Sequence, residues 1–166
     1  MFMYEEILRD LLLDIKFNAK KRIAQGLGFL WAECLKSNPP ENISGFELVP
    51  MPMHKKKQSR RGFNQAEILT LPLAKALNIP ISKALIRTKN TLPQSEVHHS
   101  RRAENVDGIF AINPKINPIG KKYILTDDIF TTGASLNECA KTLKNAGAAE
   151  VMCMTFAISV KNNNKP

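Results

Sequence analysis

Two adjacent carboxylates, Asp127 and Asp128, precede a run of small and hydroxyl-bearing residues, Thr131, Thr132, Gly133, Ala134 and Ser135. Paired carboxylates suit vicinal hydroxyls or Mg²⁺, and a small-residue turn opening a helix offers backbone N–H groups and the positive end of a helix dipole to a phosphate. Together they describe a site for a phosphorylated pentose. The elements that must position it are legible on either side. Tyr123 to Thr126 reads as a short apolar strand, and Leu136, Ala140 and Leu143 at helical spacing, with Gly147 as a stop, read as an amphipathic helix. The turn then lies at the carboxyl end of a strand, where open α/β sheets bind ligands. A plain turn capped by Thr131 or Thr132 is the simpler alternative, but capping requires neither the acidic pair nor a small residue at Ala134.

A second chemistry-bearing segment is the basic run His54-Lys55-Lys56-Lys57-Gln58-Ser59-Arg60-Arg61, read as a loop. It follows a short strand from Phe46 to Met51 and leads into a helix from Gln65 to Leu77, with Asn64 as a candidate N-cap. A third is Thr88 to Asp107, a long polar loop carrying Gln94, His98, His99, Arg101, Arg102 and Asn105. Long loops inside compact domains commonly serve as lids or binding loops. Further strands are expected at Ile81 to Arg87, Gly108 to Ile112 and Val151 to Ala157. Helices from Glu5 to Phe17 and Lys20 to Leu35 precede the Asn38-Pro39-Pro40 break. Strands alternating with helices imply a mostly parallel five-stranded sheet in an α/β fold. We read 1–40 as a small N-terminal helical hood, 41–160 as the core and 161–166 as a polar tail, within one compact domain.

The chain has 166 residues, 43% of them hydrophobic, enough for one sizeable core. No apolar run approaches membrane-spanning length, and the acidic start lacks the pattern of a secretory signal, so the expected location is cytoplasmic. Cys34, Cys139 and Cys153 are widely spaced, with no zinc-ligand pair, and read as buried small hydrophobes. The net charge of +9 calls for a polyanionic partner. Lys55, Lys56, Lys57, Arg60 and Arg61 are the nucleic-acid candidates. With few aromatics expected outside the core, backbone contacts should dominate over base stacking.

The strand, acidic pair and Thr/Gly-rich loop resemble the motif by which type I phosphoribosyltransferases bind 5-phosphoribosyl 1-pyrophosphate (PRPP). The resemblance sharpens with Val49-Pro50-Met51-Pro52-Met53-His54, Arg61-Gly62-Phe63-Asn64-Gln65-Ala66, Arg87-Thr88, Gln94, Arg101-Arg102 and Asn105-Val106. These are similar to the ComF family of competence-associated, phosphoribosyltransferase-like proteins, over Tyr4 to Ala157. Lys16 and Phe17 are similar to a Lys-aromatic element near that family's N-terminus.

The resemblance implies that Asp127 and Asp128 face the ribose and Mg²⁺, directly or through water, and that Thr131 to Ser135 cradle the 5-phosphate. Met53, His54 and Lys55 would hold the pyrophosphate, and Arg101 and Arg102, on the flexible catalytic loop, would reach the leaving group. It implies PRPP as ligand, single-stranded DNA and competence proteins as partners, and a role in natural transformation. An active transferase with an unknown acceptor is the alternative. Thr131 stands where 6-oxopurine salvage relatives carry a carboxylate base, which argues against those acceptors. The chain also begins near where a cysteine-rich zinc module ends in many family members.

Overall fold

The computed structural model describes residues 2–3, 6–89 and 108–159. In chain order the elements are β1 (Phe2–Met3), α1 (Glu6–Phe17), α2 (Lys21–Ser37), β2 (Phe46–Pro50), α3 (Lys55–Arg61), α4 (Gln65–Leu77), β3 (Leu85–Arg87), β4 (Phe110–Ile112), β5 (Lys122–Phe130), α5 (Ala134–Asn145) and β6 (Glu150–Ile158). The α/β expectation holds. Among the described residues the main sheet is four-stranded and parallel, in the order β1-β6-β5-β2, rather than five-stranded. Leu85–Arg87 and Phe110–Ile112 leave it and pair antiparallel with each other. Ile81 touches the main sheet only through a single parallel bridge to Leu48.

The sheet has two covered faces because side chains alternate along each strand. On one face Ile124, Leu48 and Phe156 pack with Leu69 and Leu73 of α4, Leu27 and Trp31 of α2, and Leu12 and Ile15 of α1. On the other, Tyr123, Leu125 and Val49 pack with Leu136, Cys139 and Leu143 of α5. The two N-terminal helices thus share a core with the sheet. Their approach depends on Gly28, where an added Cβ would lie 3.0 Å from the Leu69 carbonyl oxygen and 3.1 Å from Pro72 Cγ. Trp31 meets Phe156 edge-on, with ring centroids 5.7 Å apart. That packing holds α2 against α4 and β6.

Two local readings need correction. The basic run is helical: His54 accepts a hydrogen bond from the Lys56 N–H at its Nδ1, and Gly62, in the left-handed region at φ 83°, closes the helix. Such a conformation suits glycine. Of the cysteines only Cys139 is buried, whereas Cys34 and Cys153 are exposed. Among the described residues no helix is long and apolar enough to cross a membrane.

Candidate ligand site at the carboxyl edge of the sheet

β5 runs through Phe130, beyond the expected end at Thr126, so the acidic pair belongs to the strand and not to the turn. Pairing with β6 continues from Lys122 opposite Glu150 to Phe130 opposite Ile158. Adjacent strand residues point to opposite faces. Asp128 turns toward α4, where its Oδ2 accepts from Gln65 Nε2 at 2.7 Å and its Oδ1 from the Ile129 N–H at 3.0 Å. Asp127 turns toward α5, and its Oδ1 accepts the Asp128 N–H at 2.9 Å. Burial pushes Asp127 well above the ordinary carboxylate range, and the neighbouring Asp128 charge adds to the rise, while Arg87 opposes it. The two acids therefore have different jobs: one is anchored, the other faces a cavity.

That cavity, of about 220 Å³, is lined by Asp127 and by Ser135 from the first turn of α5. It is also lined by Met53 after β2, by Lys57 and Arg61 of α3, by Arg87 of β3, and by Lys16 and Phe17 of α1. Lys57 and Arg61 sit one helical turn apart, so α3 presents both to the cavity. Their crowding has an electrostatic signature. Lys57 is held below its ordinary range first by burial and then by repulsion from Arg87, Lys16, Arg61 and Arg60. Arg61 and Arg87 are lowered by burial too, with Asp128 favouring the charge of Arg61 and Asp127 that of Arg87. So dense a cationic wall favours an anionic ligand.

The remaining candidates fall around this cavity. Thr131, Thr132, Gly133, Ala134 and Ser135 line a hollow of about 20 Å³, and Ser135 is shared with the larger cavity. Gly133, not a threonine, is the N-cap of α5; it sits at φ 72°, and its hydrogen atom faces the Phe130 ring so closely that a Cβ would lie 2.9 Å from it. Thr132 Oγ1 accepts from the Ala134 N–H at 3.4 Å. Met53 also lines a neighbouring groove of about 730 Å³, together with His54 and Lys55. Lys55, Lys56 and Arg60 are exposed on α3. Asn64 is buried and ties the loop after β2 to α4, giving Nδ2–H to the Met51 carbonyl at 2.9 Å and accepting the Ala66 N–H at 3.1 Å. Arg101 and Arg102, with Gln94, His98, His99 and Asn105, lie outside the described residues.

Gln65, Arg87, Phe17 and Lys16 also line the cavity, a role that their sequence context alone did not specify. Reading 55–61 as a helix would have put Lys57 and Arg61 on one face and pointed to the cavity. Phe17 is 64% exposed at the cavity mouth, with Lys16 Nζ 5.5 Å from its ring centroid.

The donor set fits Mg²⁺. This ion keeps several waters and takes one or two carboxylates alongside substrate phosphates, which matches Asp127 on the wall of an anion-binding cavity with Asp128 next to it on the strand. Asp127 and Asp128 are the residues that would hold it.

An open parallel sheet with a cationic, phosphate-suited cavity at its carboxyl edge defines a class, and comparison with known proteins gives the same one. Residues 62–166 match the phosphoribosyl transferase domain family. Competence protein F of Haemophilus influenzae is 33% identical over 112 residues, which are 66% of this chain and 49% of that protein. DNA utilization protein YhgH of Escherichia coli is 30% identical over 163 residues, 92% of this chain and 70% of that protein. The chain thus spans about half of the first relative and about two thirds of the second. A solved structure, of the allosteric regulatory enzyme of purine biosynthesis, superposes with a TM-score of 0.51 at 17% identity, over 81% of this chain and 26% of that one. The chain belongs to the phosphoribosyltransferase domain family and, within it, to the ComF group of competence-associated relatives.

Proposed function

We propose that the cavity binds PRPP together with Mg²⁺, and that the protein acts in natural competence by handling incoming single-stranded DNA. One observation carries the ligand reading: Asp127, Ser135 and the cations Lys57, Arg61 and Arg87 converge on one cavity at the carboxyl ends of β2 and β5. A pentose with a phosphate at one end and a pyrophosphate at the other needs that order of groups. Ser135 and its loop would take the 5-phosphate, Asp127 the pentose hydroxyls and metal shell, and α3 with Met53 to Lys55 the pyrophosphate. Mg²⁺, when bound, would neutralise and orient the pyrophosphate. The chain's own part is to position the donor, exclude water and stabilise negative charge.

The DNA reading rests on the exposed charges of α3, Lys55, Lys56 and Arg60, and on relatives named for competence and DNA utilization. Phe17 and Lys16 favour the second reading, an active phosphoribosyltransferase with an unknown acceptor, because they wall the cavity from the α1 side.

Calorimetric titration tests the ligand. PRPP with Mg²⁺ should bind saturably, and Asp127→Asn should weaken it about tenfold or more, equivalent to about 1.4 kcal/mol. Unchanged affinity contradicts the assignment. To separate binder from enzyme, pyrophosphate release from PRPP is measured with a metabolite pool and again with single-stranded DNA. Release that needs both Asp127 and an added acceptor supports turnover.

A further inference from the structure

Beside the cavity, across Pro52 and Met53, which line both, lies the groove of about 730 Å³. Its far wall comes from Lys83, Ile86 and Pro114, none of which lines the cavity. Pockets of roughly 300–1,000 Å³ are typical of small-ligand sites, so the groove has room for a nucleotide unit. Its lining is divided by chemistry. Met53, Ile86 and Pro114 are apolar, and Ile86 is 40% exposed although Leu85 next to it is buried. His54, Lys55, Lys83 and Arg87 are basic, against one acid, Glu67, whose Oε1 lies 3.5 Å from Lys83 Nζ. His54 Nδ1 accepts the Lys56 N–H, so the neutral ring carries its hydrogen on Nε2 and still offers a donor.

The ligand that matches such a groove has a flat apolar body with negative charge attached. A bare phosphate would leave Ile86 and Met53 uncovered, and an apolar peptide would leave the basic groups without a counter-charge. A nucleotide meets both demands, with its base against the apolar side chains and its phosphate on the cations. Gln58, with a donor and an acceptor on one amide, lines the same groove and suits the polar edge of a base. Lys56 and Lys89 are exposed next to Lys55 and Thr88 of the groove and carry positive charge past its lining. That continuation favours a strand over a single nucleotide.

We propose that this groove seats one base of single-stranded DNA, with the flanking phosphates on Lys55 and Lys83. The proposal rests on the single-stranded DNA reading above and adds a base contact to it, so that charge neutralisation alone does not account for the affinity.

Fluorescence anisotropy of labelled oligothymidylate, and of an abasic strand of equal length, is measured as the full chain is added. The expected result is an affinity about tenfold higher for oligothymidylate, reduced in Ile86→Asn to that of the abasic strand. Lys83→Glu, at an exposed side chain, should weaken both strands, and it locates the site if Ile86→Asn lacks a cooperative melting transition. Equal affinity for the two strands in the unaltered protein overturns the base seat and leaves phosphate contacts standing. A base preference that survives Ile86→Asn, or strand affinity unchanged in Lys83→Glu, overturns the assignment to this groove. Free thymidine 5-monophosphate binding as tightly as oligothymidylate overturns the assignment to a strand. Binding of neither strand overturns the DNA reading itself, and the base seat with it.

Discussion

Asp127 works against the stability of the fold it belongs to. Its raised pKa means that the folded chain holds the Asp127 proton more tightly than the unfolded chain does. The favourable contribution is therefore complete below the ordinary carboxylate pKa and is lost as pH climbs through the raised value. At neutral pH, without ligand, Asp127→Asn should raise the melting temperature, and the gain should shrink in acid. A melting series from pH 4 to pH 8 checks this, and an equal effect at every pH contradicts it. Greater stability with weaker PRPP binding is the expected signature of a functional carboxylate held in an unfavourable place. At this scale the sequence was informative about type and silent about direction. The acidic pair was legible as chemistry, but its division between two faces follows from β5 running to Phe130, and that depends on pairing with β6.

At the scale of elements, α3 explains most of what the sequence left hidden. A helix made only of Lys55 to Arg61 has no apolar stripe, so periodicity could not reveal it. It forms because His54 caps one end and Gly62 the other, and its i,i+4 spacing then puts Lys57 and Arg61 on one face. α4 was legible because its apolar residues recur at helical spacing and Asn64 has the chemistry of a cap. Asn64 also donates to the Met51 carbonyl, so Asn64→Ala removes a cap and leaves a buried acceptor unpaired; a loss of about 1–3 kcal/mol is expected from chemical denaturation. Asn64→Asp should recover only the cap. β1 escaped notice because a two-residue strand carries no pattern, and β3 shrank because the residues after Ile81 leave the main sheet.

At the scale of the molecule, the helical segment at the N-terminus and the strand-rich remainder are joined by one core, and Gly28 sets how close they come. Gly28→Val should push α2 away from Leu69 and Pro72, costing about 1–3 kcal/mol and displacing Lys16 and Phe17 from the cavity mouth. The same measurement as above, melting paired with PRPP titration, would show both losses, and stability lost with affinity intact would contradict the role of the α1 wall. Charge divides similarly. Lys57 and Arg61 turn inward, Arg60 and Lys55 are exposed at the rims of the cavity and of the neighbouring groove, and Lys56 lines neither. Single-stranded DNA affinity should accordingly fall with salt at a slope of about −0.7 per neutralised phosphate, and that slope should flatten when Lys55 and Lys56 are neutralised. A slope unchanged by neutralising Lys55 and Lys56 would contradict this assignment.

The central claim is that one cavity holds both ends of PRPP. The most direct measurement is ³¹P nuclear magnetic resonance of PRPP with Mg²⁺ as the protein is added. The account predicts that the 5-phosphate signal and both pyrophosphate signals shift or broaden together, and that Asp127→Asn reduces all of them. Perturbation of the pyrophosphate signals alone would mean that the basic wall binds polyanions without the Thr131 to Ser135 loop, and would contradict the account.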